Sequence, residues 1–316
     1  MMPVPKQFDG LDSFRSETNQ PIHLAIGMFD GVHQGHRIVV ESSIRSAANS
    51  GGLAGVLTFW PHPSHLFKPD NPVPMILNSR MKRSELSKLR IDFVIEEPFS
   101  PEFAAIASAD FVAMLKSKIS TLASIHTGEN WRFGKGRQGD VQLLVKLAEE
   151  AGISAESLEC LFLDGERVSS TRIRNALIGG RIEEANRLLG YTYETWGIVR
   201  EGKRIGRTIG VPTLNIPFDG ELKPKLGVYC VNASREGGEE RLPAVANFGI
   251  RPTVNSLEEP MLEVHVLGDC PFSYGDSLRI EWLSFLRREQ KFEGIDELKT
   301  QIQTDISDAK LFFESP

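Results

Sequence analysis

The chain is poor in cysteine. Its three thiols, Cys160, Cys230 and Cys270, form an odd, widely spaced set that provides neither a disulfide framework nor a CxxC metal site. Reduced, buried cysteines in a cytoplasmic protein are expected. Basic charge is not in excess: 36 Lys and Arg stand against 42 Asp and Glu, a formal net charge of −6 with neutral histidine. That balance argues against a general nucleic-acid binder, although local basic or backbone N–H sites can still hold anions. No segment approaches the roughly 18 apolar residues that span a bilayer, and residues 1–10 lack the apolar run of a secretory signal, so no membrane partner is expected. Internal repeats, low-complexity tracts and a long Ser/Gly or charged linker are also missing. What is present is ordinary globular composition, 41% hydrophobic and 25% charged, in a 316-residue chain whose length points to two domains.

The first half alternates two patterns. Residues 22–26 read as a short apolar strand. Beyond His36, the positions Val40, Ile44, Ala47 and Ala48 share a helical face. Gly51-Gly52 stops that helix, and residues 54–59 read as the next strand, which completes a βαβ unit. Further strands are expected at 93–95 and 123–125, and helices at 111–118 and 141–151. Such alternation predicts a Rossmann-like parallel sheet with ligands at the carboxyl ends of its strands. From Tyr191 onward the period changes. Short runs at 195–199, 227–232, 244–247, 261–267 and 278–283, separated by Gly and Pro, predict a small antiparallel Greek-key barrel or sandwich. A final helix begins near Ile295, with Leu298, Ile302 and Ile306 at helical spacing. The expected class is therefore α/β plus all-β, with domains at 1–187 and 188–316.

The first strand runs into Gly27-Met28-Phe29-Asp30-Gly31-Val32-His33-Gln34-Gly35-His36. Glycine permits close backbone approach and unusual φ, a helix N-terminus offers free N–H groups to an anion, and histidines there can stabilise charge as a bond breaks. Either histidine alone reads best as a helix cap in a Gly-rich turn; the HxGH spacing at a strand-to-helix junction favours phosphate chemistry. Later, Ser169-Ser170-Thr171-Arg172-Ile173-Arg174 places three hydroxyls before two arginines. These suit a helix cap or a triphosphate tail.

In the second half, Gly202, Gly206 and Gly210 punctuate a basic stretch containing Arg207 that ends in Pro212-Thr213-Leu214-Asn215. This is not a Walker A sequence. By composition alone it reads as a hairpin loop, yet Thr213 and Asn215, two apart on an extended segment, face the same side. Both could serve a hard Mg²⁺ ion that also holds ATP phosphates.

Taken in order, these segments resemble the nucleotidyltransferase superfamily marked by HxGH and SSTxxR. Within it they resemble the prokaryotic bifunctional riboflavin kinase and FAD synthetase family, through Gly-x-Phe-Asp-Gly-Val-His-x-Gly-His, Thr58-Phe59-Trp60-Pro61-His62-Pro63 and Gly128-Glu129-Asn130-Trp131-Arg132-Phe133-Gly134. The last block usually carries Asp and Phe where this chain has Asn130 and Trp131. Asn keeps the shape without the charge, and Trp keeps an aromatic surface. The second half is similar to riboflavin kinase. Pro212-Thr213-Leu214-Asn215 stands for PTAN, followed by Gly227-Val228-Tyr229, the block from Asn247 to Thr253, Leu262-Glu263-Val264-His265 and the block from Phe285 to Phe292.

The resemblance implies His33, His36 and Arg174 as catalytic groups of an FMN adenylyltransferase. It implies Gly27, Met28, Phe29, Gly31, Gly35, Ser169, Ser170 and Thr171 around its ATP, and Asn130, Trp131 and Arg132 around its flavin. For the kinase it implies Glu263 as the base, Gly202, Gly206, Arg207, Gly210, Pro212, Asn247 and Arg287 around ATP or flavin, and Thr213 and Asn215 on Mg²⁺. Without the resemblance, Glu263 reads as a solvent-facing strand carboxylate and Arg287 as a surface helix charge. ATP is then a co-substrate, and riboflavin, FMN and FAD are substrates and products rather than bound redox cofactors. Rival readings are a kinase whose first domain only binds nucleotide, a flavin carrier without turnover, and an adenylyltransferase for another substrate.

Overall fold

The computed structural model describes residues 4–14, 19–202, 210–252 and 258–314. Contacts divide the chain into two compact units, Met1–Ser170 and Thr171–Pro316, a cut that falls before the expected 187/188.

The first unit contains β1 (Lys6–Asp9), β2 (Ile22–Ile26), α1 (Gln34–Ser50), β3 (Leu53–Trp60), α2 (Pro63–Phe67), α3 (Ser79–Ser87), β4 (Phe93–Pro98), α4 (Pro101–Ala104), α5 (Phe111–Lys118), β5 (Leu122–Gly128), α6 (Val141–Glu150), β6 (Ser154–Leu158) and a small hairpin of β7 (Phe162–Leu163) and β8 (Glu166–Arg167). Its sheet has the order β1-β4-β3-β2-β5-β6, and every pairing is parallel. The winding reverses between β2 and β5, so the turn that follows β2 opens at a topological switch point, where such sheets bind ligands. All five residues of β2 are buried, as expected for a central strand with both faces covered.

α1 starts at Gln34, earlier than expected, which brings Gly35 and His36 into its first turn; Gly51 ends it in the left-handed conformation, φ 67°. Its buried face is not the all-apolar stripe expected. Ala48 is exposed, while Ser42 and Ser43 are buried. Ser43 is satisfied within the helix, donating from Oγ to Val40 O at 2.7 Å, and Ser42 joins a polar chain beneath it. His23 Nδ1 meets Ser124 Oγ at 2.6 Å and His23 Nε2 meets Ser50 Oγ at 2.7 Å. Ser124 Oγ meets His126 Nε2 at 2.7 Å, and Ser42 Oγ lies 2.9 Å from His126 Nδ1 and donates to Glu156 Oε2 at 2.6 Å. Buried polar groups are tolerated only when paired like this. Burial pulls the His23 imidazole below its ordinary range. It pulls His126 down to about 4, against the opposing charge of Glu156.

The second unit contains α7 (Ser170–Gly179, whose first residue ends the first unit), α8 (Ile182–Leu189), β9 (Glu194–Ile198), β10 (Leu214–Pro217), β11 (Gly227–Arg235), β12 (Leu242–Pro252), β13 (Glu258–Val266), β14 (Ser277–Arg288) and α9 (Ile295–Glu314). α8 belongs here because Asn186 accepts from Tyr193 N at 2.7 Å and donates to Trp282 O at 2.9 Å. The sheet order is β10-β13-β12-β11-β14-β9, antiparallel throughout. Among the described residues the two edges are joined by one bridge, Arg200 N to Asn215 O at 2.8 Å, which nearly closes a barrel and shields its edges.

One face of the sheet carries an aromatic core: Trp282 lies 4.6 Å from Tyr229 and 5.4 Å from Phe248 between ring centroids, and its Nε1 donates to Thr195 Oγ1 at 3.0 Å. The opposite face, with Val228, Cys230 and Val245, packs against Ile306 and Ala309 of α9. A Cβ on Gly227, φ 152°, would stand 2.2 Å from Arg287 O, so β11 approaches β14 there only as glycine. Of the three free cysteines only Cys230 is buried; Cys160 is half-buried and Cys270 exposed, short of the burial expected for all three.

Candidate functional site

The turn after β2 is built under strain. Phe29 and Val32 take φ of 48° and 39°, a left-handed region that costs bulky residues on the order of 1–3 kcal/mol each and persists only where neighbours over-determine it. The restraints are identifiable. Thr58 Oγ1 donates to Met28 O at 3.0 Å, Ile76 N donates to Asp30 Oδ1 at 2.9 Å, Ser170 Oγ donates to Asp30 O at 3.0 Å and Arg37 Nε donates to Val32 O at 3.3 Å. His33 is the N-cap of α1, accepting from His36 N through Nδ1 at 3.3 Å. Its ring stacks on His36 with centroids 3.5 Å apart, and Phe29 meets His36 edge-on at 5.3 Å. The residue expected to meet phosphate is thus also the cap of α1. The two imidazoles are held as a stacked pair at the positive end of a 17-residue helix, an arrangement suited to anionic oxygen.

The other expected residues of this chemistry are distributed as follows. Ser169 and Ser170 close the first unit, and Thr171 and Arg174 lie on the first turns of α7. Arg172 is engaged by Glu184 at 3.2 Å. Asn130 is exposed, with Nδ2 3.3 Å from Cys160 Sγ. Trp131 is half-buried and stacks on Phe133 at 4.8 Å, which covers one of its ring faces. Arg132 is exposed and lies 3.4 Å from Asp140.

In the second unit the ladder itself gathers the expected residues. Asn215 on β10 pairs with Glu263 on β13, Glu263 pairs with Asn247 on β12, Asn247 pairs with Val228 on β11, and Val228 pairs with Arg287 on β14. Residues directly opposed across antiparallel strands share a face, with Cβ atoms roughly 5 Å apart. Asn215, Glu263, Asn247 and Arg287 thus form one row on the face that α9 packs against. Arg287 belongs to a strand, not to the helix considered for it, and is clamped by Asp305 of α9 through two bonds of 2.7 Å.

Asn215 is buried, and its Oδ1 has no hydrogen-bond partner among the described residues. A buried acceptor left open in this way fits a ligand oxygen-binder such as a hard cation. A Cβ at Gly202 would stand 2.3 Å from Asn215 Nδ2, so glycine lets the chain pass over that carboxamide. His265 bonds Pro212 O at 2.8 Å and fixes the segment leading to Thr213; Gly210 and Pro212 are exposed. Gly206 and Arg207 lie outside the described residues. Among the described residues no group of three His, Cys, Asp or Glu side chains gathers to hold a metal, and no helix is long and apolar enough to cross a membrane.

Asp305 was not legible as a site residue, because a lone acid in an amphipathic helix carries no signal of its partner. Lys82 and Ile76 behind the histidine turn were equally silent, and Thr58 stood out only as part of a resembling block.

A parallel α/β unit with a phosphate-ready histidine turn, followed by an antiparallel barrel with a polar row beside an open oxygen site, defines a two-centre phosphate-transferring enzyme. The FAD synthetase family profile matches residues 15–172 and the riboflavin kinase profile matches residues 189–313. Over 308 residues the chain is 35% identical to the bifunctional riboflavin kinase/FMN adenylyltransferase of Escherichia coli (strain K12), covering 98% of each. It is 33% identical over 297 residues to the protein of the same name from Bacillus subtilis (strain 168), covering 92% of each. A crystal structure titled as a macrolide-efflux protein from Streptococcus pneumoniae superposes with a TM-score of 0.86 at 24% identity, covering 98% of this chain and 99% of that one; that likeness establishes the shared fold alone. The chain belongs to the bifunctional riboflavin kinase/FMN adenylyltransferase family.

Proposed function

We infer that the chain carries out two consecutive steps of flavin cofactor synthesis. It phosphorylates riboflavin with ATP to give FMN and ADP, and transfers the adenylyl group of a second ATP to FMN to give FAD and pyrophosphate. The observation that carries this reading is the coexistence in one chain of two separately built centres, the His33–His36 turn and the Asn215–Glu263–Asn247–Arg287 row.

We assign adenylylation to residues 1–187. The FMN phosphate oxygen attacks the α-phosphorus of ATP as the bond to pyrophosphate breaks. His33 and His36 donate to the oxygens on which charge grows, and Gly27, Met28, Phe29, Gly31 and Gly35 supply the backbone around the phosphates. The resemblance gives Ser169, Ser170, Thr171 and Arg174 the leaving pyrophosphate, and Asn130, Trp131 and Arg132 the flavin. No covalent enzyme intermediate is needed.

We assign phosphorylation to residues 188–316. Glu263 takes the proton of the ribityl 5′-hydroxyl as its oxygen attacks the γ-phosphorus, while Asn247 and Arg287, on the same row, hold the reactants beside it. Thr213 and Asn215 would hold Mg²⁺, whose charge offsets that of the ATP phosphates. The enzyme is read as cytoplasmic, with small-molecule substrates and neither a membrane nor a nucleic-acid partner.

Product analysis tests the reading. Purified protein is incubated with riboflavin, excess ATP and Mg²⁺, and the flavins are separated chromatographically. FMN appearing first and FAD after it is the expected result. FMN alone, also when FMN is the starting substrate, would overturn the adenylyltransferase half.

A further inference from the structure

Behind the histidine turn sits a lysine that its chemistry does not yet use. Lys82, on α3, has no exposed side-chain surface. Its ammonium donates to Phe59 O at 2.9 Å and to Thr58 Oγ1 at 3.2 Å, and lies 3.1 Å from Glu96 Oε2. Glu96 is in turn held by Ser79 at 2.5 Å and by Arg83 at 2.8 and 3.0 Å. Burial pulls Lys82 below the ordinary lysine range, opposed by Glu96 and Asp30. Removing one partner of such a buried pair leaves the other charge uncompensated.

The direction of the chain of bonds is fixed. An ammonium can only donate, so Thr58 Oγ1 accepts from Lys82. Its single proton is left to donate to Met28 O, at 3.0 Å. Donating to a hydroxyl strengthens the bond that hydroxyl makes in turn. Met28 immediately precedes Phe29, the first of the two residues with left-handed φ, and the same turn ends in the stacked His33–His36 pair.

We propose that Lys82 is a positioning residue for adenylyl transfer, acting through Thr58 to fix the Met28 carbonyl and thereby the turn that carries His33 and His36. This rests on the adenylyltransferase reading above. The turn stabilises charge that develops as pyrophosphate leaves, so a loosened turn lowers turnover more than it weakens binding.

The test uses the full chain with FMN, ATP and Mg²⁺. Wild-type protein must first form FAD; if it does not, the adenylyltransferase reading itself fails. Given activity, Thr58→Val, which keeps the volume and removes the hydroxyl, lowers kcat for FAD formation about tenfold with the KM for ATP and FMN changed less than threefold. Thr58→Ser, which restores the hydroxyl, stays within twofold of wild type. Lys82→Met lowers kcat at least as far as Thr58→Val, and the Lys82→Met/Thr58→Val double variant is no worse than Lys82→Met by more than twofold, because both break one chain. FMN formation from riboflavin is unchanged in all. A Thr58→Val enzyme with unaltered FAD turnover would overturn the proposal, as would single effects that multiply in the double variant. If Lys82→Met fails to fold, the Thr58→Val and Thr58→Ser pair decides.

Discussion

The two units position their candidate catalytic groups by opposite means. In the barrel, Asn215, Glu263, Asn247 and Arg287 stand within strands, and antiparallel pairing sets them in one row. In the parallel unit, His33 and the first turn of α1 with His36 follow the end of a strand through a turn with unfavourable backbone angles, and a side chain of β3 and a backbone N–H from the stretch before α3 pin it. One centre inherits its geometry from regular structure. The other is imposed by tertiary restraints, and depends on residues that never touch substrate.

Separating the centres gives the largest effects. Glu263→Ala lowers FMN formation from riboflavin by about 10²–10⁴-fold and leaves FAD formation from supplied FMN intact. His36→Ala does the reverse, lowering FAD formation by about 10²–10³-fold. Loss of both activities in a folded variant of either kind would break the comparison. Next in size, Asn215→Leu, which removes the open oxygen, lowers FMN formation more than tenfold and raises the Mg²⁺ concentration needed for half-maximal rate, read by titrating the ion at fixed ATP.

The units also differ in how pH undermines them. His23 and His126 are neutral in the folded first unit but take up protons near pH 6.5 when unfolded. Their contribution is whole above about pH 6.5 and is lost as the pH falls toward the His126 value of about 4, on the order of 3 kcal/mol for that shift. In the barrel, burial raises the Cys230 thiol to about 12 and pushes Tyr229 up as well. That contribution is whole below about pH 9, the ordinary thiol value, and is lost as the pH rises. Acid stress should therefore abolish FAD formation before FMN formation, and alkaline stress the reverse, measured as residual activity immediately after a timed pH jump.

The smallest effect concerns the clamp on Arg287. Asp305→Asn keeps the shape of the acid and removes its charge, and should lower kinase turnover about tenfold, equivalent to about 1.4 kcal/mol. FAD formation from FMN is the control that stays unchanged.

This contrast explains what could be read from the amino-acid sequence. The run at 261–267 places Glu263 on a strand and the changed period after Tyr191 marks the barrel, whereas the stretch ending in Asn215 reads as a hairpin loop by composition although its last two residues begin β10. α5 and α9 start where their patterns predict. The expected apolar stripe of α1 is broken by Ser43, which bonds its own helix at Val40 O, and by Ser42, whose partners His126 and Glu156 come from other strands. Lys82 was invisible for the same reason. Its meaning lies in Thr58 and Glu96, distant along the chain, and nothing in the pattern of α3 distinguishes a buried lysine from a solvated one. β1 escaped notice because an edge strand with half-polar residues has little periodic signal.

The bridge between Arg200 and Asn215 makes the barrel a bracelet whose clasp is also a candidate ion-binding residue. Asn215 offers its backbone oxygen to close the ring and its side-chain oxygen to the candidate cation site. The amide proton of Arg200 therefore sits at the seam as a native probe. Its exchange with solvent reports how often the clasp opens, and filling the Asn215 site should slow that exchange without any label being attached.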